Sequence, residues 1–336
     1  MQVCEAEFAG PGFPHAEPMS HTQRVSRPPD VNDGDLTTLT AEFEAVRPRL
    51  TAVAYGLLGS VDEAEDVVQD AWLRLRRAHE AGQEIEDVAG WLVVTVSRLG
   101  IDVLRSARAR REQYVGPWLP EPVVTGTPDP LTASVGPGTD DPADRVTLDE
   151  SINMALLVVL ESLSPAERTA FVLHDVFGLS FTEVAAAVGR TPAACRQLAA
   201  RARKHVSARA PRFEVDGTEH RRVVDAFSRA CVEGDIDALL ALLDPDVVLR
   251  SDGGGLVRAA RRPILGAMRV ARFLVGVHRR FADGSSRLVP ATVNGGSGLL
   301  RMREGRVTGV YSLTVSEGRI TEVHLVMNPE KLRRIR

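Results

Sequence analysis

The stretch from Leu179 to Val206 contains the residues best suited to hold DNA. Between Arg190 and Arg212 there are six arginines and one lysine, and no aspartate or glutamate. A segment that carries only positive charges is electrostatically complementary to the phosphate backbone of DNA. We single out the polar side of its helix as the DNA-contacting surface, with the following members: Thr191, Ala193, Arg196, Gln197, Arg201, Arg203 and Lys204.

Two short helices joined at a glycine must position those side chains. Val184, Ala185 and Val188 form one apolar face, and Gly189 then allows the left-handed backbone that ends a helix. Thr191 followed by proline is a typical start for the second helix. Its expected buried side is Cys195, Leu198, Ala202 and Val206.

This pair is typical of a helix-turn-helix, although an ordinary helical hairpin with a solvated basic face would share many of its features. In the DNA-binding motif the second helix enters the major groove by its N-terminal end. We therefore expect Arg196 and Gln197 near base edges. Arg201, Arg203 and Lys204 should lie nearer to phosphates.

A second charged surface is predicted on the helix 61–80, whose acidic residues come early and whose arginines come late. That order suits the helix dipole, so a solvated face would explain it. The apolar residues already fill the core-facing stripe, however, and leave four polar side chains for a basic partner. We call these four residues the acidic patch: Glu65, Asp66, Gln69 and Asp70.

The next helical segment, 91–113, ends in four arginines within seven residues. Cations are favoured at a helix C-terminus, which explains part of this cluster. Four exceed what capping requires, and they predict a second DNA-facing surface. The cluster consists of Arg105, Arg108, Arg110 and Arg111.

Length and composition predict a folded chain of two or three domains. The chain has 336 residues, of which 44% are apolar, and a formal net charge of −4 that hides strong local segregation. Its three cysteines are far apart and match no metal-ligand spacing, so we expect no cofactor, no metal and a reducing, cytoplasmic location. No apolar run is long enough to span a membrane, and the start does not look like a signal peptide.

Changes in composition divide the chain into six segments. We expect a disordered extension at 1–36, where Met19 offers a second candidate start, and a helical domain at 37–112. A linker at 113–145, with seven prolines and four glycines, should be extended. The remaining segments are a helix-turn-helix domain at 146–212, a mixed domain at 213–328 and a basic tail at 329–336.

Both helical domains resemble a known family. DEAEDVVQDAW followed by GWLVVTVSRLGIDVLRSARAR resembles region 2 of extracytoplasmic-function sigma factors, and LSPAERTAFVLHDVFGLSFTEVAAAVGRTPAACRQLAARARKHV resembles their region 4. The resemblance implies two all-α sigma domains that bind core RNA polymerase, through its clamp helices and flap, and promoter DNA. The acidic patch would dock the clamp helices, and the helix-turn-helix would read the −35 element.

By the same resemblance, region 2 would open and read the −10 element. The residues concerned are Trp91, Arg98, Arg105, Arg108, Arg110 and Arg111. One departure is Ser97-Arg98-Leu99, where relatives usually show an Arg-Asn pair.

The segment after Pro211 reads as two helices, closed by Asp244-Pro245 and followed by a strand, then a third helix and four alternating strands. This order resembles the α+β curved-sheet cone of SnoaL-type polyketide cyclases. Some sigma factors carry that domain at the C-terminus, in place of a separate anti-sigma factor. Their recurrent motifs appear here as WLPEP at 118–122, DGGG at 252–255 and NPEKL at 328–332. The residues that we assign to contacts between the domains are Trp118, Leu119, Pro120, Asp252, Gly253, Gly254, Gly255, Asn328, Pro329 and Lys331.

These motifs imply regulation of the sigma domains through the linker and the tail. Trp118 and Leu119 lie in a segment too rich in proline to bury them within a regular element, which predicts a docking site on a neighbouring surface. The alternative is that Trp118 covers the core of region 2 itself. The basic residue that usually follows the glycine run is displaced to Arg258.

A cone of this kind can bind a small ligand or act as an enzyme, so a different class of function stays open. In that case the protein would be a one-component ligand-sensing regulator, or a cyclase-like enzyme with an attached DNA-binding domain. Acid-base chemistry needs converging histidine and carboxylate groups, and none of the candidates shows a local spacing that demands it. We therefore expect no catalysis from these groups: His220, Asp225, Asp252, His278 and His324.

Overall fold

The computed structural model describes residues 33–125, 152–209, 217–279 and 286–335, without the side chains of 33–35, 108–110, 112 and 209. Most of the predicted extension, the second half of the linker, and the side chains of Arg108 and Arg110 lie outside this part. Within it, no helix is both long enough and apolar enough to pass through a bilayer.

The first helical region contains three long helices. They are α1 (Asp33–Leu58), α2 (Val61–Glu80) and α3 (Val88–Glu112). α1 begins inside the segment expected to be disordered, because its first turns continue the apolar face that Leu39 and Phe43 bury. α1 ends at Leu58 because Gly59, directly after it, takes a left-handed φ of 68°.

The second helical region is built from shorter helices. They are α4 (Met154–Leu160), α5 (Pro165–Phe171), a π-helical turn (Val172–Val176), α6 (Phe181–Val188) and α7 (Pro192–Arg209). The sequence predicts a helix over 149–163 at the start of this region, but α4 starts at Met154, because the side chain of Asn153 accepts a hydrogen bond from the amide of Leu156 and caps the helix. Positions 149–151 lie outside the described residues.

The helix-turn-helix prediction is confirmed in α6 and α7. Gly189 has a φ of 69° and ends α6, and Thr191 caps α7 by accepting from the amide of Ala194 at 3.2 Å. The expected inner side of α7 is buried at every position: Cys195, Leu198, Ala202 and Val206.

The two helical regions share one hydrophobic core instead of forming separate cores. Helix α3 packs against α6, and a single buried cluster runs from Leu39 to Val206. Arg168 of α5 is fully buried in it, where its guanidinium pairs with Glu161 and donates to the carbonyl of Gly56 in α1 at 3.3 Å. A buried charge with these partners fixes how the second region sits on the first.

The C-terminal domain is a curved sheet with three helices on its inner face. Its helices are α8 (Gly217–Glu233), α9 (Ile236–Leu242) and α10 (Ala267–Arg279). Its strands are β2 (Leu243–Asp252), β3 (Ile264–Leu265), β4 (Ser286–Val293), β5 (Gly296–Arg303), β6 (Arg306–Ser316) and β7 (Arg319–Val326). β1 (Val124–Thr125) comes from the linker, and the order is β1-β4-β5-β6-β7-β2-β3.

Three tight hairpins set the register of β4 to β7. Each turn has two central residues with positive φ, the second a glycine: Asn294-Gly295, Glu304-Gly305 and Glu317-Gly318. Such type I′ turns match the right-handed twist of the flanking strands. The antiparallel strands expected from the alternating pattern are thereby confirmed.

One local expectation for this domain is wrong. Asp244 and Pro245 lie within β2, because that strand pairs in parallel with β7 from Leu243 onward, with a register shift before Val248. The expected third helix is present as α10, and it is preceded by the short strand β3, which pairs with Val248 and Leu249 at the sheet edge.

The outer face of the sheet is covered by the linker and the tail. β1 adds to β4, and Leu119 is fully buried on this face. The tail forms helix α11 (Pro329–Leu332), and Leu332 and Ile335 are buried in the same apolar cluster. The linker up to Thr125 and the tail are therefore packed parts of the domain, because both supply apolar side chains that gain by leaving water.

Replacing Arg168 by methionine should destabilise the helical body by about 3 to 5 kcal/mol, because Glu161 and the carbonyl of Gly56 would lose a buried partner. Urea unfolding followed by circular dichroism measures this loss. Arg201→Met is the matched control, since that side chain is 65% exposed in its pair with Glu167 and should cost less than about 1 kcal/mol. Equal costs for the two variants would contradict this role.

Candidate polymerase-binding and DNA-binding surfaces

The acidic patch lies on the outer side of α2. Asp66, Gln69 and Asp70 are exposed, and Glu65 is half-buried. Ser60 caps this helix by accepting from the amide of Glu63, so the acidic residues follow a well-defined first turn, as the dipole favours. The surface is thus presented on a rigid element.

Two arginines of the tail bind the N-terminal edge of this patch. The guanidinium of Arg334 donates to both carboxylate oxygens of Glu65 at 2.7 Å, and to Asp62 at 2.6 Å. Arg333 pairs with Asp62 as well. A fork-to-fork pair of this kind is directional as well as attractive. The tail therefore covers Glu65, while Asp66, Gln69 and Asp70 remain open.

A buried carboxylate fastens the linker and the tail to the cone. Asp252, at the end of β2, is fully buried and accepts from the hydroxyl of Tyr114 at 2.5 Å, the amide of Leu119 at 2.9 Å and the ammonium of Lys331 at 2.7 Å. Its other contact is the amide of Gly254 at 3.0 Å. We call this group the latch: Tyr114, Trp118, Leu119, Asp252 and Lys331.

Burial dominates the electrostatics of the latch. Burial lowers the pKa of Lys331, and the facing Asp252 carboxylate opposes that change. Burial also raises the pKa of the Tyr114 hydroxyl, and its hydrogen bond to Asp252 adds to the effect. Gly254 has a φ of 63°, and a Cβ there would come within 2.5 Å of the Asn328 amide. A side chain at this position would clash with Asn328, so the turn requires glycine here.

Trp118 lies between two cations that come from different domains. The guanidinium carbon of Arg111 in α3 is 3.5 Å from the ring centroid, and the ammonium of Lys331 is 4.0 Å from it. Gly59 leaves room for the ring, since a Cβ there would be 3.1 Å from it. Trp118 therefore contacts region 2 and the tail together, which combines both alternatives drawn from the sequence.

Downstream of the latch, the linker also bonds directly to α1 and α2. The Tyr55 hydroxyl donates to the carbonyl of Glu121 at 2.7 Å and accepts from the Asn294 amide at 2.7 Å. The carboxylate of Glu121 accepts from the amide of Val61 at 2.8 Å, at the N-terminus of α2. Burial raises the pKa of Glu121. The linker is therefore held by region 2 and by the cone at the same time.

The residues expected to read the −10 element are not all on one surface. Trp91 and Arg98 line a cavity of about 420 Å³ on α3, together with Arg74 of α2. Arg98 donates to the carbonyl of Ala186 in α6 at 2.9 Å. Arg105 is exposed and pairs with Asp102.

Arg111 points inward, in contrast to its expected place on a DNA-facing surface. Its side chain is only 15% exposed, pairs with Glu161, and donates to the carbonyl of Leu58 at 2.7 Å. Desolvation by burial lowers its pKa. In this conformation Arg111 joins the two helical regions to Trp118, because a carboxylate and an aromatic face are available inside.

The recognition helix α7 keeps its predicted polar side exposed. All seven selected positions, from Thr191 to Lys204, are on the surface. The charge of that run is partly balanced by carboxylates from elsewhere, since Arg201 pairs with Glu167 and Arg203 with Asp175 at 2.6 Å. The guanidinium of Arg196 lies 5.5 Å from the ring centroid of Phe181.

The candidate acid-base residues of the cone have different surroundings, and both ring nitrogens of His324 are buried without a hydrogen bond to the described part of the chain. Asp252 belongs to the latch, and His220 bonds to the carbonyl of Leu313 at 3.0 Å. His278 stacks on Tyr311, and burial lowers the pKa of His278 to about 4. His324 is fully buried beside Glu322, and burial lowers its pKa to about 3; the remaining candidate, Asp225, is exposed on α8.

Family models match three parts of the chain. Residues 43–110 match Sigma-70 region 2, residues 153–206 match Sigma-70 region 4, and residues 221–323 match a SnoaL-like domain. The ECF RNA polymerase sigma factor SigJ of Mycobacterium tuberculosis is 41% identical over 87% of this chain and 92% of its own length. The chain belongs to the ECF RNA polymerase sigma factors.

A second relative and a crystal structure support the same family assignment. A probable ECF RNA polymerase sigma factor of the same species, SigI, is 37% identical over 88% of this chain and 94% of its own length. The crystal structure of Mycobacterium tuberculosis SigJ superimposes with a TM-score of 0.68 and 38% identity, and covers 88% of this chain and 98% of SigJ. This sigma factor therefore directs transcription initiation by RNA polymerase, with regulation in cis by its SnoaL-like domain.

Several functional contacts of this sigma factor were missed from the sequence. Tyr114 lies just before the linker motif and Glu121 lies within it, but only the fold shows that Tyr114 faces Asp252 and that Glu121 faces α2. Asp62 is one of the early acidic residues that the helix dipole explains, so its pairing with the tail was not expected. The signal that could have found it is the opposite charge of the two segments, since the tail is basic and the start of α2 is acidic.

Asp252→Asn should loosen the latch by about 3 kcal/mol, because Lys331 would stay buried without its carboxylate. Amide hydrogen exchange at Leu119, whose N–H donates to Asp252, should accelerate on the order of 100-fold. Glu304→Gln, at a side chain that is 76% exposed, is the control and should leave exchange unchanged. Unaltered protection of Leu119 in the Asn variant would refute the assignment.

Proposed function

We propose that the tail and the clamp helices of core RNA polymerase compete for the acidic patch. The observation that carries this proposal is the bidentate pair of Arg334 with Glu65. A basic partner would have to displace Arg334 to pair with that carboxylate in the same way, and it would meet a cationic neighbour at Asp66. The SnoaL-like domain thus supplies its own inhibitor of polymerase binding, which makes a separate anti-sigma factor unnecessary.

The latch supports this competition by fixing where the tail can reach. Lys331 is anchored to Asp252 and stacked on Trp118, three residues before Arg334. A tethered cation competes at a high effective concentration, although each exposed ion pair is weak by itself. A bias of about 1 to 3 kcal/mol would change polymerase binding about 5- to 150-fold.

The contact between the two helical regions supports a second level of inhibition. Arg98, which we assign to reading the −10 element with Trp91 and Arg105, is engaged by the carbonyl of Ala186. Arg74 joins this group because it lines the same cavity. Release of α6 from α3 would free Arg98 for DNA, and Arg111 would leave its inner site only in such an opened state.

For the −35 element, we propose that α7 enters the major groove. Arg196 and Gln197 would contact base edges, and Arg201, Arg203 and Lys204 would contact phosphates. Their exposure supports this assignment. The carboxylates of Glu167 and Asp175 would give up their arginines when DNA binds.

We propose that the cone regulates and does not catalyse, and that it accepts a small ligand. The hydrogen bond of His220 to the carbonyl of Leu313 and the ion pair of Asp252 with Lys331 support a structural use of these two groups. A sigma factor with these partners would act in the cytoplasm, where polymerase and promoters are found.

Arg333→Ala with Arg334→Ala should strengthen binding of core polymerase about 5- to 150-fold, because Asp62 and Glu65 would be uncovered. Fluorescence anisotropy with purified core enzyme measures this change. Asp66→Arg with Asp70→Arg should abolish binding in both backgrounds, since both side chains are exposed and would repel a basic partner.

The matched control is Arg319→Ala, which removes an arginine of β7 from a contact with the carbonyl of Leu243, away from α2. It should not alter polymerase affinity. Weaker or unchanged binding in the double alanine variant would contradict competition by the tail. Unchanged binding after charge reversal at Asp66 and Asp70 would contradict the clamp assignment instead.

Arg196→Ala should cost about 1 to 3 kcal/mol at one position of the −35 element and relax the preference there, whereas Lys204→Ala should weaken binding to all sequences alike. Competition binding with a set of single-substitution −35 duplexes separates the two effects. Equal losses on specific and random DNA from both variants would show that Arg196 reads no base.

A further inference from the structure

The mouth of the cone contains a cavity whose wall is part of the tail. Its volume is about 330 Å³, which is within the range of sites for small ligands. Most of the lining is apolar and comes from different elements. Val277 belongs to α10, Met327 follows β7, and Pro329 and Leu332 belong to α11.

Arginines provide the polar part of this cavity. Arg301 of β5 is 6% exposed, and its guanidinium donates to the hydroxyl and the carbonyl of Thr308 at 3.1 and 2.7 Å. Burial lowers the pKa of Arg301, the hydroxyl of Tyr311 opposes this change through its charge and its hydrogen bond, and the positive charge of Arg303 adds to it. Arg303, whose side chain is 41% exposed, and the exposed Arg258 lie on the same lining. Anions are stabilised where several guanidinium groups concentrate positive charge.

We propose that this cavity binds an amphiphilic carboxylic acid. Its carboxylate would meet the guanidinium of Arg301, and its hydrocarbon chain would pack on Val277, Met327 and Leu332. Planar guanidinium groups match carboxylates in geometry as well as in charge. The apolar walls favour a chain that leaves water on binding.

Such a ligand strengthens the hold of the tail on the acidic patch. Leu332 touches the cavity, while Lys331 and Arg334 of the same segment bind Asp252 and Glu65. A ligand that contacts Leu332 binds the docked tail better than the released tail, so it shifts the population toward the docked form. This step rests on the proposed competition between tail and polymerase, whereas binding of the acid does not.

Isothermal titration of the full chain with decanoate and with decan-1-ol tests the binding. The two probes share a ten-carbon chain and differ in charge. We expect saturable binding of decanoate, at least about 10-fold tighter than that of the alcohol. Val277→Trp, which fills the cavity, should abolish decanoate binding, and Arg306→Leu, at an exposed position outside the lining, should not change it. Equal affinity for the two probes, no binding of either, or full binding by the tryptophan variant would overturn the site.

Core-polymerase binding with and without saturating decanoate tests the coupling. Decanoate should weaken polymerase binding to the wild-type chain about 5- to 150-fold and should have no effect on Val277→Trp. Decanoate that binds in titration but leaves polymerase affinity unchanged would overturn the coupling and not the site. If the double alanine variant of the tail also leaves polymerase affinity unchanged, the proposed competition fails, while titration still reports on the cavity alone.

Discussion

The buried pair of Asp252 and Lys331 is the constraint on which the arrangement of this sigma factor depends. One carboxylate receives groups from the linker, from its own glycine turn and from the tail, three segments that are far apart in sequence. A buried ion pair contributes little net stability, because removing both charges from water costs about as much as their attraction returns. Its value lies in geometry, since only one placement of linker and tail satisfies every donor.

That geometry turns a weak surface contact into a specific one. The pairs of Arg333 and Arg334 with α2 are partly exposed and would be worth little between free molecules. Anchoring Lys331 three residues earlier removes most of the freedom that such long side chains would otherwise lose. The same anchoring places Trp118 against Arg111, so region 2 is held from two directions.

Local signals predicted the helices and hairpins well. The bounds of α2 and the caps of α7 follow from residues within one turn, and the three tight turns carry their glycine in the expected place. Sequence also selected the motif residues of the latch, through a resemblance and through an apolar pair in a segment rich in proline. The sequence could not predict which way a side chain points in the folded protein. Arg111 reads as one more cation of a basic cluster, and only the packing of α3 against Glu161 and Trp118 turns it inward. The strand β3 and the start of β2 depend on partners far along the chain, which no local pattern specifies.

The tail pair also has a consequence in time. Asp62 and Arg334 are 272 positions apart in the chain, so a ribosome working at about 5 to 20 residues per second makes the arginine roughly 15 to 50 seconds after its partner. During that interval the helices of region 2 can form, because their contacts are local, while the segment that covers them does not yet exist. Each newly made molecule is therefore uncovered before it is covered. A polymerase close to the site of translation meets this sigma factor in a state that the finished protein reaches only when the tail is released.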